Sequence, residues 1–394
     1  MAINMATLAA TFAATAGEVI TCKAAIAYEA NKPLTVEDIH VAPPGPSEVR
    51  IKITNGAICH TDLYYMAGQD PEKIFPRVFG HEGAGFVESV GRDIKDLKPG
   101  DKVLPVWMAE CKKCPKCKRG KSNICDTLVY NWSNGFMPAD KKTTRFSRVA
   151  DGKPIHHFFG TSTFSQYTVC DEACVAKVNP DADLSKICLL GCGVPTGIGS
   201  AWNIAKVTPG SSVAVFGLGT IGLAVVEGAK VAGAARIIGV DRDGSKLTQG
   251  LEWGLTDILN TTGLDKPVEE VIREMVDDGV DFSFDCTGNP GVIYSAMECA
   301  NAAGGVAVIL GLMDSSKTLS FHPSKLLWGK SWTSGLFGGY KGRSQLPELV
   351  DKCVGGVINL DHYITHKMPF SQINKAVEML EKGQCLRCVM DYDN

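Results

Sequence analysis

Between residues 19 and 55 apolar and polar positions alternate in short pieces such as VITCKAAIAY and EVRIKIT, with Pro43, Pro44 and Pro46 punctuating them. A period of two predicts strands, and the prolines predict the turns between them. GAGFVESVG at 83–91 extends the pattern, and Gly and Pro stay frequent through PGDKVLP at 99–105. From about residue 194 the rhythm changes. SVAVFG, TIGLAVVEGAKVAG, ARIIGVD, SKLTQGLEWG and DILN read alternately as strand and helix, and PVEEVIREMVDDG, VDFSFDCTG, PGVIYSAMECANAAG and GVAVILGL continue the alternation. Repeated β-then-α units predict a doubly wound parallel sheet, because parallel strands need crossovers that helices supply. Beyond Phe337 the regularity is lost: LPELVDKCVGG and INKAVEMLEKG read as helices and RCVMDY as a strand. The expected organisation is a flexible extension over 1–18, a strand-rich domain from 19–193 and 337–394, and a doubly wound α/β domain at 194–336 between them.

Composition narrows the class. The 394 residues carry 40 basic and 43 acidic side chains, a net charge of −3, with 45% hydrophobic residues. Such a chain is an ordinary globular protein, neither disordered nor an evident binder of nucleic acid. The longest uncharged stretch, Val207 to Val226, holds Pro209, Ser211, Ser212 and four glycines, so no membrane span is expected. The start MAINMATLAATFAATAG lacks the basic region of a secretory signal and the arginines of a transit peptide. It reads as an extension before the first strand, and a cytoplasmic location is expected.

SVAVFGLGTIGLAVVEGAK places Gly217, Gly219 and Gly222 as G-x-G-x-x-G between a strand and a helix. The first glycine permits the tight turn, the second lets backbone approach a pyrophosphate, and the third allows helix to pack closely on strand. The helix amino terminus presents free N–H groups to phosphate. Asp241 ends the next strand, where its carboxylate would accept from the ribose hydroxyls and disfavour a 2′-phosphate; Arg242 pulls the other way. The expected cofactor is NAD.

Fifteen cysteines are present, an odd number, and four of them crowd into AECKKCPKCKRGKSNICD as Cys111, Cys114, Cys117 and Cys125. Four thiolates at such spacing can close a tetrahedron around a structural Zn²⁺. Two disulfides and an iron–sulfur cluster are the competing readings. The interleaved lysines and Arg119 read as solvated charges, with no nucleic-acid partner expected. Further ligand candidates are Cys59 in ICHTDLYY, His81 with Glu82 in FGHEGAG, and Cys192 in LLGCGVPTG.

Taken together with KPIHHFFGTSTFSQYTV, VFGLGTIGLA, RIIGVD and ITHKMPF, these stretches make the chain resemble the zinc-dependent medium-chain alcohol dehydrogenases from about residue 19 to its end, especially the plant and class III (glutathione-dependent formaldehyde dehydrogenase) branches. The resemblance implies a GroES-like catalytic domain joined to a Rossmann cofactor domain, two zinc ions per chain, and hydride transfer between NAD(H) and a small alcohol or aldehyde. It implies Cys59, His81 and Cys192 as ligands of a catalytic zinc with an open fourth position. It implies Glu82 and Asp62 as supporting carboxylates, Asp62 orienting the His81 ring, and Thr61 as the hydroxyl passing a proton toward the cofactor ribose. His60, Thr196, Lys246 and Arg387 would serve the cofactor beside the glycines and Asp241, Arg387 near the pyrophosphate. Trp107, Phe158 and Phe159 would line an apolar substrate pocket. A homodimer is expected, joined around Gly304 to Leu312.

Departures from that family bear on the substrate. Tyr64 stands where animal members carry the histidine ending the proton relay, and Pro195 replaces the serine before Thr196. Asp70 and Glu72 match acidic residues of the glutathione-adduct enzymes, whereas Val129 stands where those enzymes carry an adduct-binding arginine. The leading expectation is a dehydrogenase of hydrophobic primary alcohols. S-(hydroxymethyl)glutathione dehydrogenase and a cyanohydrin lyase on the same zinc and NAD scaffold are the alternatives.

Overall fold

The segment EVRIKIT alternates in type, yet the strand it belongs to, Glu48–Ala57, has scarcely an exposed position. It is the central strand of its sheet, flanked by Glu82–Val90, by Tyr167–Asp171 and by the carboxyl-terminal Arg387–Asp391. A computed structural model describes residues 5–69, 72–314 and 316–393. The chain forms two compact units, Met1–Cys192 with Lys341–Asn394, and Gly193–Tyr340.

The first unit contains two sheets. One runs Arg77–Val78, Ile20–Ala27, Thr35–Val41, Phe146–Arg148, Pro154–Ile155, all antiparallel. The other runs Val175–Lys177, Lys102–Pro105, Glu82–Val90, Glu48–Ala57, Arg387–Asp391, Ile364–Pro369, with only its last pair parallel. The strand expected in RCVMDY thus returns to the first unit. Both expected carboxyl-terminal helices form, at Leu346–Val354 and Ile373–Glu381.

The second unit is the expected doubly wound sheet. Its six strands are all parallel, in the order Asp257–Asn260, Arg236–Asp241, Ser212–Phe216, Phe282–Asp285, Val306–Ile309, Ser331–Ser334. This is the order of a dinucleotide-binding sheet, with the reversal point beside the first strand. Ala214, Phe216, Ile238 and Val240 bury one face against the helix Val268–Met275 and its neighbours. Among the described residues no single helix is long and apolar enough to cross a membrane.

The amino terminus departs from the expected flexible extension. Met5–Thr15 forms a helix with Leu8 and Phe12, four residues apart on one face, both buried. Arg50, fully buried, supplies what the local sequence lacks. Its guanidinium donates to Thr15 O (2.7 Å) and Glu18 O (2.6 Å) and pairs with Glu88 (2.6 and 3.0 Å), and the Thr15 hydroxyl donates to the same carboxylate. A cation on the last carbonyls opposes the negative end of the helix dipole.

Truncating a buried Phe to Ala costs about 3–5 kcal/mol, more than a short terminal helix can lose and stay docked. Phe12→Ala is therefore expected to release this helix while the rest stays folded. Limited proteolysis should then gain a cut between residues 5 and 18; a wild-type cleavage pattern would refute the docking.

Candidate functional site

Register builds the first centre. Ala57 pairs with Glu82 across the antiparallel ladder, so the chain leaving one strand toward Cys59 lies beside the chain entering the other from His81. Cys59 caps the helix His60–Met66. A third segment arrives through the tight turn Cys188–Gly191, where a Cβ on Gly191 would lie 2.6 Å from His81 O and 2.8 Å from Glu82 Cα. Only glycine allows that approach, and it delivers Cys192.

The ligand atoms of Cys59, His81, Glu82 and Cys192 all lie within 4.8 Å of one another, and every one of these side chains is buried. The two sulfurs stand 3.9 Å apart. A disulfide needs about 2.05 Å, whereas two thiolates at about 2.3 Å from one tetrahedral zinc are about 3.8 Å apart. His81 Nδ1 bonds Asp62 at 2.8 Å, and Asp62 also accepts from Cys59 N (2.9 Å) and Gly80 N (3.2 Å). Nε2 of His81 is buried with no hydrogen-bond partner among the described residues, an expensive state unless its lone pair meets an ion. Both Glu82 oxygens accept from Arg387 at 2.9 Å, and Arg387 Nη2 also reaches Cys59 Sγ at 3.5 Å. Glu82 is thereby occupied, leaving two sulfurs and one imidazole nitrogen, a donor set that fits zinc with a position to spare.

The charges in this corner are mutually adjusted. The hydrogen bond with Cys192 holds the Cys59 thiol well below its ordinary range, against burial and with help from Arg387 and His81. Cys192 is raised by the same bond and by burial. Burial pushes Glu82 up to about 7 against the pull of Arg387. Burial alone would depress His81, but the Asp62 charge overrides it and raises the imidazole well above its usual value.

The second centre is local. Cys111, Cys114, Cys117 and Cys125 bring four sulfurs within 4.8 Å of one another, with Cys111 and Cys117 4.0 Å apart. Each step of the loop turns a backbone amide onto a preceding or facing sulfur: Cys114 N on Cys111 (3.3 Å), Cys117 N on Cys114 (3.4 Å), Cys111 N on Cys125 (3.4 Å). Slight burial opposes ionisation of Cys114, yet the amides of Cys117 and Asp126 draw its thiol down to about 6. All fifteen cysteines are unbridged, which removes the two-disulfide reading. Four converging thiolates fit a closed zinc site.

In the second unit the three glycines differ in their reasons. Gly217 has φ +88°, a left-handed turn that a side chain would strain. A Cβ on Gly222 would lie 1.9 Å from Gly217 O, so the helix Thr220–Val231 packs directly on the turn. A Cβ on Gly219, by contrast, would meet nothing within 4 Å; the space over this helix amino terminus fits a pyrophosphate. Asp241 ends its strand with one oxygen accepting from Leu218 N (2.8 Å) and the other from Asp243 N (3.0 Å). Lys246 lies in the following helix, Gly244–Trp253. Pro195 and Thr196 occupy the first turn of Gly193–Gly199, where a missing N–H costs the helix nothing.

The remaining expected residues lie in the first unit. Thr61 places its hydroxyl 3.8 Å from Cys59 Sγ. Phe158 and Phe159 stack at 4.0 Å and turn toward the His81 ring, at 5.9 and 6.0 Å. Trp107 packs on Phe159 at 5.8 Å. Two aromatics escaped the sequence reading: Tyr65, 5.0 Å from Phe159, and Trp132, 5.3 Å from Phe159 and 5.7 Å from Trp107. Their signal was present, since Tyr65 directly follows Tyr64 in the motif helix and Trp132 lies one turn after Val129. Val129 itself is 51% exposed. Asp70 lies outside the described residues.

Residues 45–180 match the family described as "Alcohol dehydrogenase GroES-like domain" and residues 220–354 that described as "Zinc-binding dehydrogenase". An alcohol dehydrogenase class-3 of Pisum sativum is 54% identical over 377 residues, covering 96% of this chain and 99% of the relative. An alcohol dehydrogenase 1 of Petunia hybrida is 49% identical over 381 residues, with 96% and 99% covered. The crystal structure of an alcohol dehydrogenase zinc-binding domain protein from Burkholderia ambifaria superposes with a TM-score of 0.88 at 32% identity, over 95% of this chain and 99% of that one.

Metal analysis of the purified protein is expected to give two zinc ions per chain. Asp62→Asn should weaken one of them by about 10- to 100-fold in chelator competition, since outer carboxylates tune ligand basicity to that degree. Cys114→Ser should lose the other and lower the melting temperature, because closed sites contribute folding energy. Unchanged zinc affinity in Asp62→Asn would contradict the orienting role of that carboxylate.

Proposed function

The chain belongs to the zinc-dependent medium-chain alcohol dehydrogenases, and from that premise we propose that it interconverts uncharged, largely hydrophobic primary alcohols and their aldehydes. Its cofactors are zinc and NAD. The observation that carries the substrate reading is the aromatic wall of Phe158, Phe159 and Trp107 set against the imidazole of His81. An apolar wall beside a metal ligand favours a hydrophobic carbinol over a charged one. When bound, zinc supplies a Lewis acid for the substrate oxygen and NAD supplies the hydride acceptor.

The chain's own residues do the rest. Cys59, Cys192 and His81 would hold the metal, with Asp62 fixing the imidazole by accepting a hydrogen bond from its Nδ1–H. Glu82, neutralised by Arg387, keeps a carboxylate near the two sulfurs without adding net charge. The Thr61 hydroxyl accepts the alcohol proton and passes it toward the cofactor ribose. Gly217, Gly219 and Gly222 would cradle the pyrophosphate, Asp241 and Lys246 would take the adenosine ribose, and Thr196, His60 and Arg387 would complete the cofactor contacts.

A second reading, oxidation of S-(hydroxymethyl)glutathione, is favoured by the 54% identity to a class-3 relative. Exposed, uncharged Val129 at the position expected for an adduct-binding arginine counts against it. We also place the protein in the cytoplasm as a homodimer. The seam expected around 304–312 has to move, because Val306–Ile309 is flanked on both sides by Phe282–Asp285 and Ser331–Ser334; the edge of the six-stranded sheet is Ser331–Ser334, and close before it Leu327 and Trp328 are 82% and 81% exposed. An open edge beside a large exposed apolar pair favours pairing with a second copy.

Following reduced nicotinamide absorbance with NAD and an alcohol panel should give higher kcat/KM for hexanol or benzyl alcohol than for S-(hydroxymethyl)glutathione. The reverse order would sink the substrate reading, and cyanide release from acetone cyanohydrin without any redox signal would replace it with the lyase. Cys192→Ala should abolish turnover with the circular dichroism spectrum unchanged. Trp328→Asp is expected to shift the mass measured by light scattering toward the monomer; an unchanged mass would move the interface elsewhere.

A further inference from the structure

A cavity of about 820 Å³ opens in the first unit, and Cys59, His81 and Cys192 are not among its lining residues. Its volume falls within the range of sites that take small organic ligands. Phe86, Val178 and Leu184 supply apolar lining, each showing only a small face to the space. The lining also holds two cations that form no ion pair among the described residues. The Lys102 ammonium donates only to a carbonyl, Ala182 O, at 2.8 Å, and the Lys98 ammonium has neither ion pair nor hydrogen bond among the described residues. A third cation, Lys177, is already paired with Asp101 at 2.8 Å. The Asp183 carboxylate accepts from Ser185 N (3.0 Å) and Ser185 Oγ (2.8 Å), neutral donors that orient it and leave its charge in place, so the lining keeps a smaller, net positive charge. The carboxamide of Asn55 also lines the space with no hydrogen bond among the described residues, which adds a neutral donor to the two ammonium groups.

We propose that this cavity binds a small amphipathic anion, with a carboxylate or phosphate head at Lys98, Lys102 and Asn55 and an apolar body against Phe86, Val178 and Leu184. Neither half alone matches the lining: a purely hydrophobic ligand leaves the net positive charge unmatched, and a bare inorganic anion leaves the small apolar faces of Phe86, Val178 and Leu184 without a partner. The site is separate from the alcohol pocket, and its occupation does not depend on which alcohol the enzyme oxidises.

Calorimetric titration of octanoate into the full-length zinc- and NAD-loaded enzyme tests this. Lys98→Glu, on an exposed side chain outside the catalytic machinery, is expected to weaken octanoate about tenfold, as charge reversal beside an anion should, while alcohol kcat and KM measured without octanoate stay at wild-type values. Neutral octanamide should bind far more weakly than octanoate. Octyl phosphate distinguishes the two heads: the one that binds more tightly, with affinity dependent on Lys98, is the native chemistry. Equal affinity in wild type and Lys98→Glu would place octanoate elsewhere, including the alcohol pocket, and overturn the proposal. So would octanamide binding as tightly as octanoate, or no saturable binding of either anion at millimolar concentration.

Discussion

The buried carboxylate of Asp62 holds the catalytic corner together. An isolated ionised carboxylate out of water costs several kcal/mol, and Asp62 offsets that cost by accepting three bonds, from the amides of Cys59 and Gly80 and from the His81 ring. Those donors sit on the two segments that carry the first two ligands. Satisfying the charge therefore fixes the segments. It also fixes the imidazole, because an acceptor-only partner requires the proton on Nδ1. What remains at Nε2 is a lone pair directed into a space shared with two sulfurs.

The same corner has to reconcile three anionic groups. Glu82, Cys59 and Cys192 lie within reach of one another, and without compensation their repulsion would favour protonation. Arg387 answers this from far along the chain, bonding both Glu82 oxygens and approaching the Cys59 sulfur. It can do so because the last strand joins the central one with Val389 opposite Ala57, whose other neighbour is Glu82. The carboxyl-terminal return is thus an electrostatic part of the metal centre as well as an edge of the sheet. Burial and this ion pair oppose one another at Glu82, which settles near neutrality, at about 7.

How much of this could be read from residue order depends on range. The doubly wound sheet was legible because each strand and its crossover are contiguous, and the glycine motif because its three constraints fall within six residues. The strand Ser331–Ser334 was not, since its half-exposed, polar sequence carries no buried period. The helix Met5–Thr15 was not, because its anchors are Arg50 and Glu88, which no pattern within 1–18 reveals. Tyr65 and Trp132 join the aromatic wall through ring contacts with Phe159, itself held at φ +52°, a conformation that side-chain residues seldom adopt. The Arg387–Glu82 pair spans most of the chain and was legible only as two separate expectations.

The two metal centres mark the limits of such reading. In the four-cysteine loop the sulfurs of Cys111 and Cys114 accept from amides three residues on and that of Cys125 from the Cys111 amide within the same loop, so the geometry is encoded locally. The other centre has no local code. Its ligands meet only while Ala57 faces Glu82, and slipping that ladder by one residue would turn alternate side chains to the opposite face and carry His81 away from Cys59. Gly191 imposes a second condition, since any side chain there would hold Cys192 off His81. A closed site can therefore stabilise its own loop, whereas the ligands of the other centre are brought together only by the finished sheet.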